Sequence, residues 1–500
     1  MRFVNAECDV LIAGGGAGGC AAAMAVASQG RRAIIVEPTR WIGGQLTSQM
    51  VPPDEHPWIE EFGCTRLYRM YRNLVREKCM IRGLTGEALS RSHLNPGGGW
   101  VSRLCHEPAM GVEVLEQMMR LGRDRGLIEV WLESTISSIN LDHRMAVVGD
   151  RQIRFGIVLD ATETGDLLPM TGIDWVIGAE SRTEFGEPHA IDGPAEPEAI
   201  QGITWCAALG WDEHGDHTIE KPSSYDFWRS YEPPYWTGPL FSETFPNVRT
   251  GDPQTLPLMG DFSWFTYRQI VDPAIWRDRI EEPVTCLNWP QNDLMTTPFP
   301  NDLSALEKSR ELTLCLIYWM QTERGWRGLR LRPDVAGTKD GLAMAPYIRE
   351  SRRIKGLATL TELDVAADCN EDRKKMAEIP DSVGIGAYRI DLHPRTNGRP
   401  TIDISALPFQ IPIGCLVPRS GDLIAAAKNI SVTHVANGCT RLHPVEWNIG
   451  ETAGHLACLC LEKGLKPQHI QRNPDTVRQL QDKLCSEGIE LSWPDEVHPL

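Results

Sequence analysis

Residues 9–37, DVLIAGGGAGGCAAAMAVASQGRRAIIVE, constrain this chain more than any other stretch. A short apolar run is followed by the spacing G-x-G-x-x-G at Gly14, Gly16 and Gly19, then an alanine-rich segment, then a second apolar run ending in Glu37. The pattern predicts a strand over 10–13, a helix over 17–28 and a parallel strand over 33–36. Glycines let the backbone turn tightly and approach a pyrophosphate. The amides and dipole of a helix N-terminus meet its charge, and an acid at the end of the second strand accepts from ribose hydroxyls. An α/β turn without a ligand can carry the same glycines; the flanking strands, the helix and the acid favour the ligand.

Glu37 disfavours a 2′-phosphate, which leaves FAD or NAD rather than NADP. The early place of the motif favours FAD, because in many flavoproteins the chain later returns to the same domain and meets the flavin ring. Residues 433–464, THVANGCTRLHPVEWNIGETAGHLACLCLEKG, are the candidate return. Gly450 to Leu461 has the small residues of a helix packed closely on a sheet, with Gly464 as its stop. Gly384 and Gly386 lack a third glycine and a βαβ setting, so no second dinucleotide domain is expected.

Five hundred residues exceed one compact core, and two structural domains are expected. A net charge of −17 argues against nucleic acid or an anionic membrane surface as a partner. No signal-type apolar region opens the sequence, and no later segment approaches 18 uninterrupted apolar residues. The expectation is a soluble, cytoplasmic protein without a membrane span. The fourteen cysteines are scattered, with Cys458 and Cys460 the only close pair, and read as reduced, mostly buried thiols.

Helices are expected over 58–78 and 108–125, and strands over 128–141, 154–169 and 423–427. The basic cluster Arg349, Arg352, Arg353 and Lys355 reads as a helix surface or local anion contact. Between 200 and 330 lie nine of the sixteen Trp and five of the nine Tyr, among many prolines, so this region reads as a separate part with long loops. Any single Trp there reads as core. The group leaves room for an aromatic-walled cleft suited to a sugar ring, an aromatic metabolite or a peptide-like substrate. The resulting division is 1–175 for the N-terminal part of the cofactor domain, 176–405 for an aromatic-rich substrate domain, 406–470 for the C-terminal part of the cofactor domain, and 471–500 for a tail.

Several segments in order resemble the FAD-dependent oxidoreductase family of the glutathione-reductase-like superfamily, whose members are often labelled xanthan-lyase-like. They are GGGAGG at 14–19, GGQLTS at 43–48, DEH at 54–56, NPGGGWVSRLCHEP at 95–108, DATETGDL at 160–167, NWPQND at 288–293, PYIRESRRI at 346–354 and NGCTRLHPVEWNIGETAG at 437–454. The resemblance implies an α/β fold: a Rossmann-like FAD-binding domain of glutathione-reductase type around a central parallel sheet, joined to a mixed α+β substrate domain. It also implies that Gly14, Gly16, Ala17, Gly18, Gly19, Glu37 and Pro38 hold the ADP half, that Arg40 pairs with phosphate, and that a backbone edge near Ile136 meets adenine. Ala161 and Thr162 lie beside the cofactor, with Glu163 in place of an expected glycine. Gly44, Gln45, Leu46 and Thr47 pass the flavin, Arg103 joins the cofactor contacts, and Asn448, Ile449 and Gly450 aim helix amides at the flavin.

Flavin oxidation of an alcohol or amine needs a base for the O–H or N–H proton. His443 is the first candidate and His434 the second, with Arg441 as an anchor for a substrate anion; the same residues also suit plain loop pinning. His56 is a candidate from the other side. Asp54, Glu55 and His56 are adjacent and face different directions, so no metal is expected. Asn292 and Asp293 either face substrate or hold an Asx-type turn at Pro290. The expected reaction is hydride transfer from a hydroxylated small molecule, a sugar derivative or secondary metabolite, to flavin N5. Oxygen, a quinone or a protein takes the electrons. Oxidation of an amine, amino acid or C–C bond, monooxygenation, and a non-catalytic flavin-binding role remain alternatives, and a homo-oligomer is left open.

Overall fold

The computed structural model of the chain describes residues 4–247, 249–278 and 282–500. Strand β1 (Val4–Ala13), helix α1 (Ala17–Ser28) and strand β2 (Ala33–Val36) form the expected βαβ unit. Strands β1 and β2 pair in parallel, Val10 opposite Ala33. Every residue of α1 from Ala17 to Val26 is buried, which a helix made almost wholly of Ala, Gly and Cys permits.

Helix α2 (Arg66–Gly83) starts eight residues later than the pattern 58–78 suggests. Gly63 sits at φ 86, and Thr65 caps the helix by accepting from the Tyr68 amide at 3.2 Å, so the preceding segment cannot be helical. Helix α3 (Pro108–Asp124) leads into strand β3 (Ile128–Trp131). The run 128–141 is not one strand. Glu133 takes φ 51, which breaks the pleat, and the chain resumes as β4 (Ser138–Asn140). Strands β5 (Met145–Val148) and β6 (Arg151–Asp160) complete an order of β3-β2-β1-β6-β5-β4.

The second region has its own four-stranded antiparallel sheet and its own core. Its strands are β7 (Ala207–Trp211), β8 (Gln269–Val271), β9 (Val284–Leu287) and β10 (Leu329–Leu331), in the order β8-β9-β7-β10. Helix α4 (Ser304–Thr322) runs between β9 and β10 in the chain. Trp205, Trp228, Trp236 and Trp319 are buried in this core, as the packing reading of single tryptophans expects. Only two residues of the run 346–354, Arg353 and Ile354, are strand. Of the basic cluster there, Arg352 and Lys355 are half-buried, and Arg349 and Arg353 are buried in ion pairs. Arg349 pairs with Asp293 at 3.1 Å, and Arg353 pairs with Glu180 and Glu350 at 2.6 Å each, all buried.

The chain then returns to the first sheet. Strand β11 (Leu423–Ala425) pairs in parallel with Val158–Asp160, the half of β6 that β5 leaves free. After helix α5 (His434–Thr440), helix α6 (His443–Lys463) lies across α1 and stops at Gly464, φ 65. The contact depends on missing side chains. A Cβ on Gly450 would stand 2.0 Å from the Gly18 carbonyl oxygen, and one on Gly18 would stand 2.2 Å from that of Ala426. Among the described residues no helix is long and apolar enough to cross a membrane.

Candidate active site

A cleft of about 580 Å³ opens over the β1–α1 turn. Gly14, at φ 91, faces the end of β6 so closely that a Cβ would meet the Ala161 carbonyl oxygen at 2.2 Å; only glycine fits. At one end Glu37 accepts from the Gly15 amide at 2.8 Å and, through its other oxygen, from the Thr39 amide at 2.8 Å. Burial pushes its carboxyl up to about 7, against the pull of those hydrogen bonds. Pro38, Ile136, Ala161 and Thr162 line the same cleft, together with Gly16 and Gly44. Beside the last two, the buried Lys428 ammonium bridges Glu163 and Glu446, and Glu446 accepts from the Gly18 amide at 3.4 Å. A carboxylate thus meets the N-terminus of α1, where the helix dipole favours negative charge.

A second cavity, of about 440 Å³, lies on the far side of a shared wall. Ala345 and Ile348 line the first cleft, while Tyr347 between them lines the second. Gln45 ties the two together, since its side-chain amide donates to Glu446 and, at 3.2 Å, to the Arg441 carbonyl. Trp100, Trp264, Tyr267, Trp289 and Tyr388 give the second cavity aromatic walls. Its charged lining includes Asp54, Arg268, Asp391 and Arg441. Burial raises the Asp54 carboxyl above its usual range, opposed by Arg268 and Arg441.

The sequence-based site residues divide sharply. Arg441 faces the second cavity, donating to the Tyr347 hydroxyl at 2.6 Å and to Asp391. His443 is fully buried at the start of α6, and its Nδ1 accepts from the Asp54 amide at 3.1 Å. Burial first, then Lys428 and Arg268, keep it neutral. His434 belongs to the buried ion network, with Nδ1 3.0 Å from Glu350 and its amide donating to Glu180 at 2.8 Å, and it lines neither cavity. His56 turns the other way, bonded to the Gly63 carbonyl at 2.9 Å and edge-on to Trp493. Burial lowers it to about 4. Its neighbour Glu55 pairs with Arg72 at 2.5 Å, so of Asp54, Glu55 and His56 only Asp54 reaches the cavity.

Arg40 donates to the Gly337 carbonyl at 2.6 Å, outside the cleft. Arg103 is exposed and lines neither cavity. Ala17, Gly18, Gly19 and Leu46 are buried and serve packing: a Cβ on Gly19 would meet the Gly14 carbonyl oxygen at 2.0 Å. Thr47 donates to the Ile42 carbonyl at 2.5 Å. Asn448, Ile449 and Gly450 are in the second turn of α6 rather than at its start. Past the first turn, their amides donate within the helix and are not free for a ligand; Asn448 packs on Gly384, Ile449 is core and Gly450 sits on Gly18. Pro444 at the first turn was the start signal. Asn292 and Asp293 also turn inward. Asn292 reaches back three residues to accept from the Trp289 amide at 2.8 Å, whereas an Asx-type turn would bond backbone two residues on, and Asp293 holds Arg349 and His393.

A family model described as FAD dependent oxidoreductase matches residues 9–484. The chain belongs to this family. Its cofactor is FAD. A curated relative, the FAD-dependent monooxygenase atnJ from Arthrinium sp, is 25% identical over 220 residues, 43% of this chain and 50% of the relative, so the match spans half of that protein's length. Among solved structures, a geranylgeranyl bacteriochlorophyll reductase-like protein from Thermoplasma acidophilum covers 97% of this chain and 85% of its own at 11% identity, with a TM-score of 0.32. The rebeccamycin biosynthetic enzyme RebC covers 42% and 39% at 16% identity, with a TM-score of 0.24.

The cleft fits this cofactor. Its glycine cradle has no room for a Cβ at Gly14, and Glu37 stands at one end as an acceptor. Residues that sequence reasoning passed over are Ser48, Gln49, Ser134 and Thr135 in the cleft, and Arg268, Tyr347 and Tyr388 in the second cavity. Only Ser48 and Tyr347 lie within the motifs quoted above.

Proposed function

We propose that this FAD-dependent oxidoreductase oxidises a hydroxylated small molecule held in the aromatic cavity. The observation that carries this reading is the wall at residues 345–348, which has the FAD cleft on one side and an aromatic cavity with an ionisable carboxyl on the other. When bound, FAD supplies the two-electron acceptor for a hydride leaving carbon. Asp54 takes the hydroxyl proton, because its carboxyl lines the cavity and burial has moved it toward the range where a carboxylate is an effective base. His443 is a positioning residue for it. By accepting from the Asp54 amide, its neutral ring fixes the loop that carries the carboxylate. Arg441 holds Tyr347 in the wall. Residues 176–405 supply most of the substrate side, joined by Asp54, Trp100 and Arg441, and residues 13–170 supply most of the FAD side.

The test is an anaerobic absorbance titration of the FAD-loaded protein with alcohols, sugars and amines. Bleaching by an alcohol class supports the reading; bleaching by amines alone overturns it. Monooxygenation is the second reading, favoured by the name of the partial relative. It requires an external reductant and predicts oxygen incorporation into product, read by mass with labelled oxygen.

A further inference from the structure

We propose that Arg268 anchors the carboxylate of an aromatic acid, so that the aromatic cavity takes a substrate built from a flat ring system and one negative charge. The inference rests on reading this cavity as the substrate site.

Arg268 lines the cavity yet is only 7% exposed. Its Nε and Nη1 are buried and have no hydrogen-bond partner among the described residues. The other arginines of the cavity are spoken for. Arg441 pairs with Asp391 at 3.2 Å, Arg389 pairs with Asp403, and Arg249 lies 3.8 Å from Asp403. Among the described residues no carboxylate stands within ion-pair distance of Arg268. A guanidinium stays charged at any ordinary pH, and burying it with unmet donors is costly unless something else meets them. An oxyanion is the group whose charge and lone pairs do so. One unpaired cation among Asp54, Asp391 and Asp403 balances a monoanion and leaves a dianion in excess, which selects a carboxylate over a phosphate ester.

The ring follows from the walls. The Arg268 guanidinium stacks 5.1 Å from the centre of the Tyr267 ring, so its free donors sit at the edge of an aromatic surface. Trp264 and Trp289 stand 5.3 Å apart beside it. A flat ring gains offset or edge contacts there that a flexible aliphatic chain does not.

Calorimetric titration of the FAD-loaded protein with naphthoate, naphthylmethanol and naphthyl phosphate tests this. Naphthoate is expected to bind at least tenfold more tightly than the other two. Arg268→Met is expected to bring the acid within about twofold of the alcohol, with FAD content kept. The inference is overturned if naphthoate has no advantage in the unmodified protein, if its advantage survives Arg268→Met, or if the phosphate binds more tightly. Should Arg268→Met not fold, Arg268→Lys decides. It keeps the charge but loses the planar fork, and is expected to weaken the acid about fivefold relative to the alcohol. The parent reading fails separately. If a hydroxymethyl naphthoate binds through Arg268 but does not bleach FAD, oxidation is overturned and the anion anchor stands. If neutral alcohols bleach FAD but naphthoate binds no more tightly than naphthylmethanol, oxidation stands and the anion anchor is overturned.

Discussion

The FAD cleft and the aromatic cavity stand on either side of one short wall, yet they are built on opposite plans. The cleft has a backbone floor: the glycines of the β1–α1 turn and the end of β6 leave no room for an added Cβ, with Glu37 at one end and residues from 134–136, 162–170 and 299–352 around them. The cavity is a side-chain structure, assembled from segments near 54, 100, 264–268, 288–290, 347, 388–403 and 441. A backbone site tolerates no added atom but changes little when a charge is altered nearby. A side-chain site behaves in the opposite way, and substitutions separate the two.

The largest effect is expected from Gly450→Ala. Its Cβ has no space against the Gly18 carbonyl, and neither helix backbone can yield locally, so a loss of about 3 kcal/mol and most of the bound FAD is expected. Flavin absorbance per protein and the Tm check it; full FAD at an unchanged Tm breaks the claim that the cleft depends on its backbone. Next, Asp54→Asn is expected to lower kcat by about a hundredfold or more while FAD content stays constant. Because the carboxylate must be ionised, activity of the unaltered protein rises with pH through the raised Asp54 value, and the acid limb disappears in the variant. A retained limb moves the base elsewhere.

Glu37→Gln is expected to weaken FAD about tenfold, read by dialysis, since an amide keeps one acceptor and adds a donor. It also flattens a pH dependence. Glu37 titrates near 7 when folded and 4.5 otherwise, so its stability contribution is complete below 4.5 and lost as pH rises through 7. The FAD-free protein is expected to lose Tm between pH 5.5 and 8 by less in the variant. The smallest effect belongs to Arg40→Ala, with FAD affinity within about twofold; a larger loss would bring Arg40 back to the phosphates.

The same contrast explains what was legible in the sequence. The strand, helix and strand of the first unit follow from periodicity and spacing over neighbouring residues, as does the place of Glu37, while Ile136 and Ala161, expected from the family resemblance alone, line the same cleft. Facing direction is another matter. Asp54, Glu55 and His56 are consecutive yet reach a cavity, an arginine and a tryptophan, because loop backbone has no fixed period. Arg268 was invisible for the same reason: a lone arginine after a short helix gives no local sign that its guanidinium lacks a partner. The start of α6 was readable from Pro444, but the small residues further on drew attention to the packing face instead.

The pairing of β11 with the free half of β6 has a consequence for synthesis. Until residues 423–463 have left the ribosome, three residues of β6 have an open edge and one face of α1 has no cover. The cofactor half, translated before the aromatic region, therefore closes after it, and a nascent chain must keep that sticky edge from other chains while residues 161–422 are made.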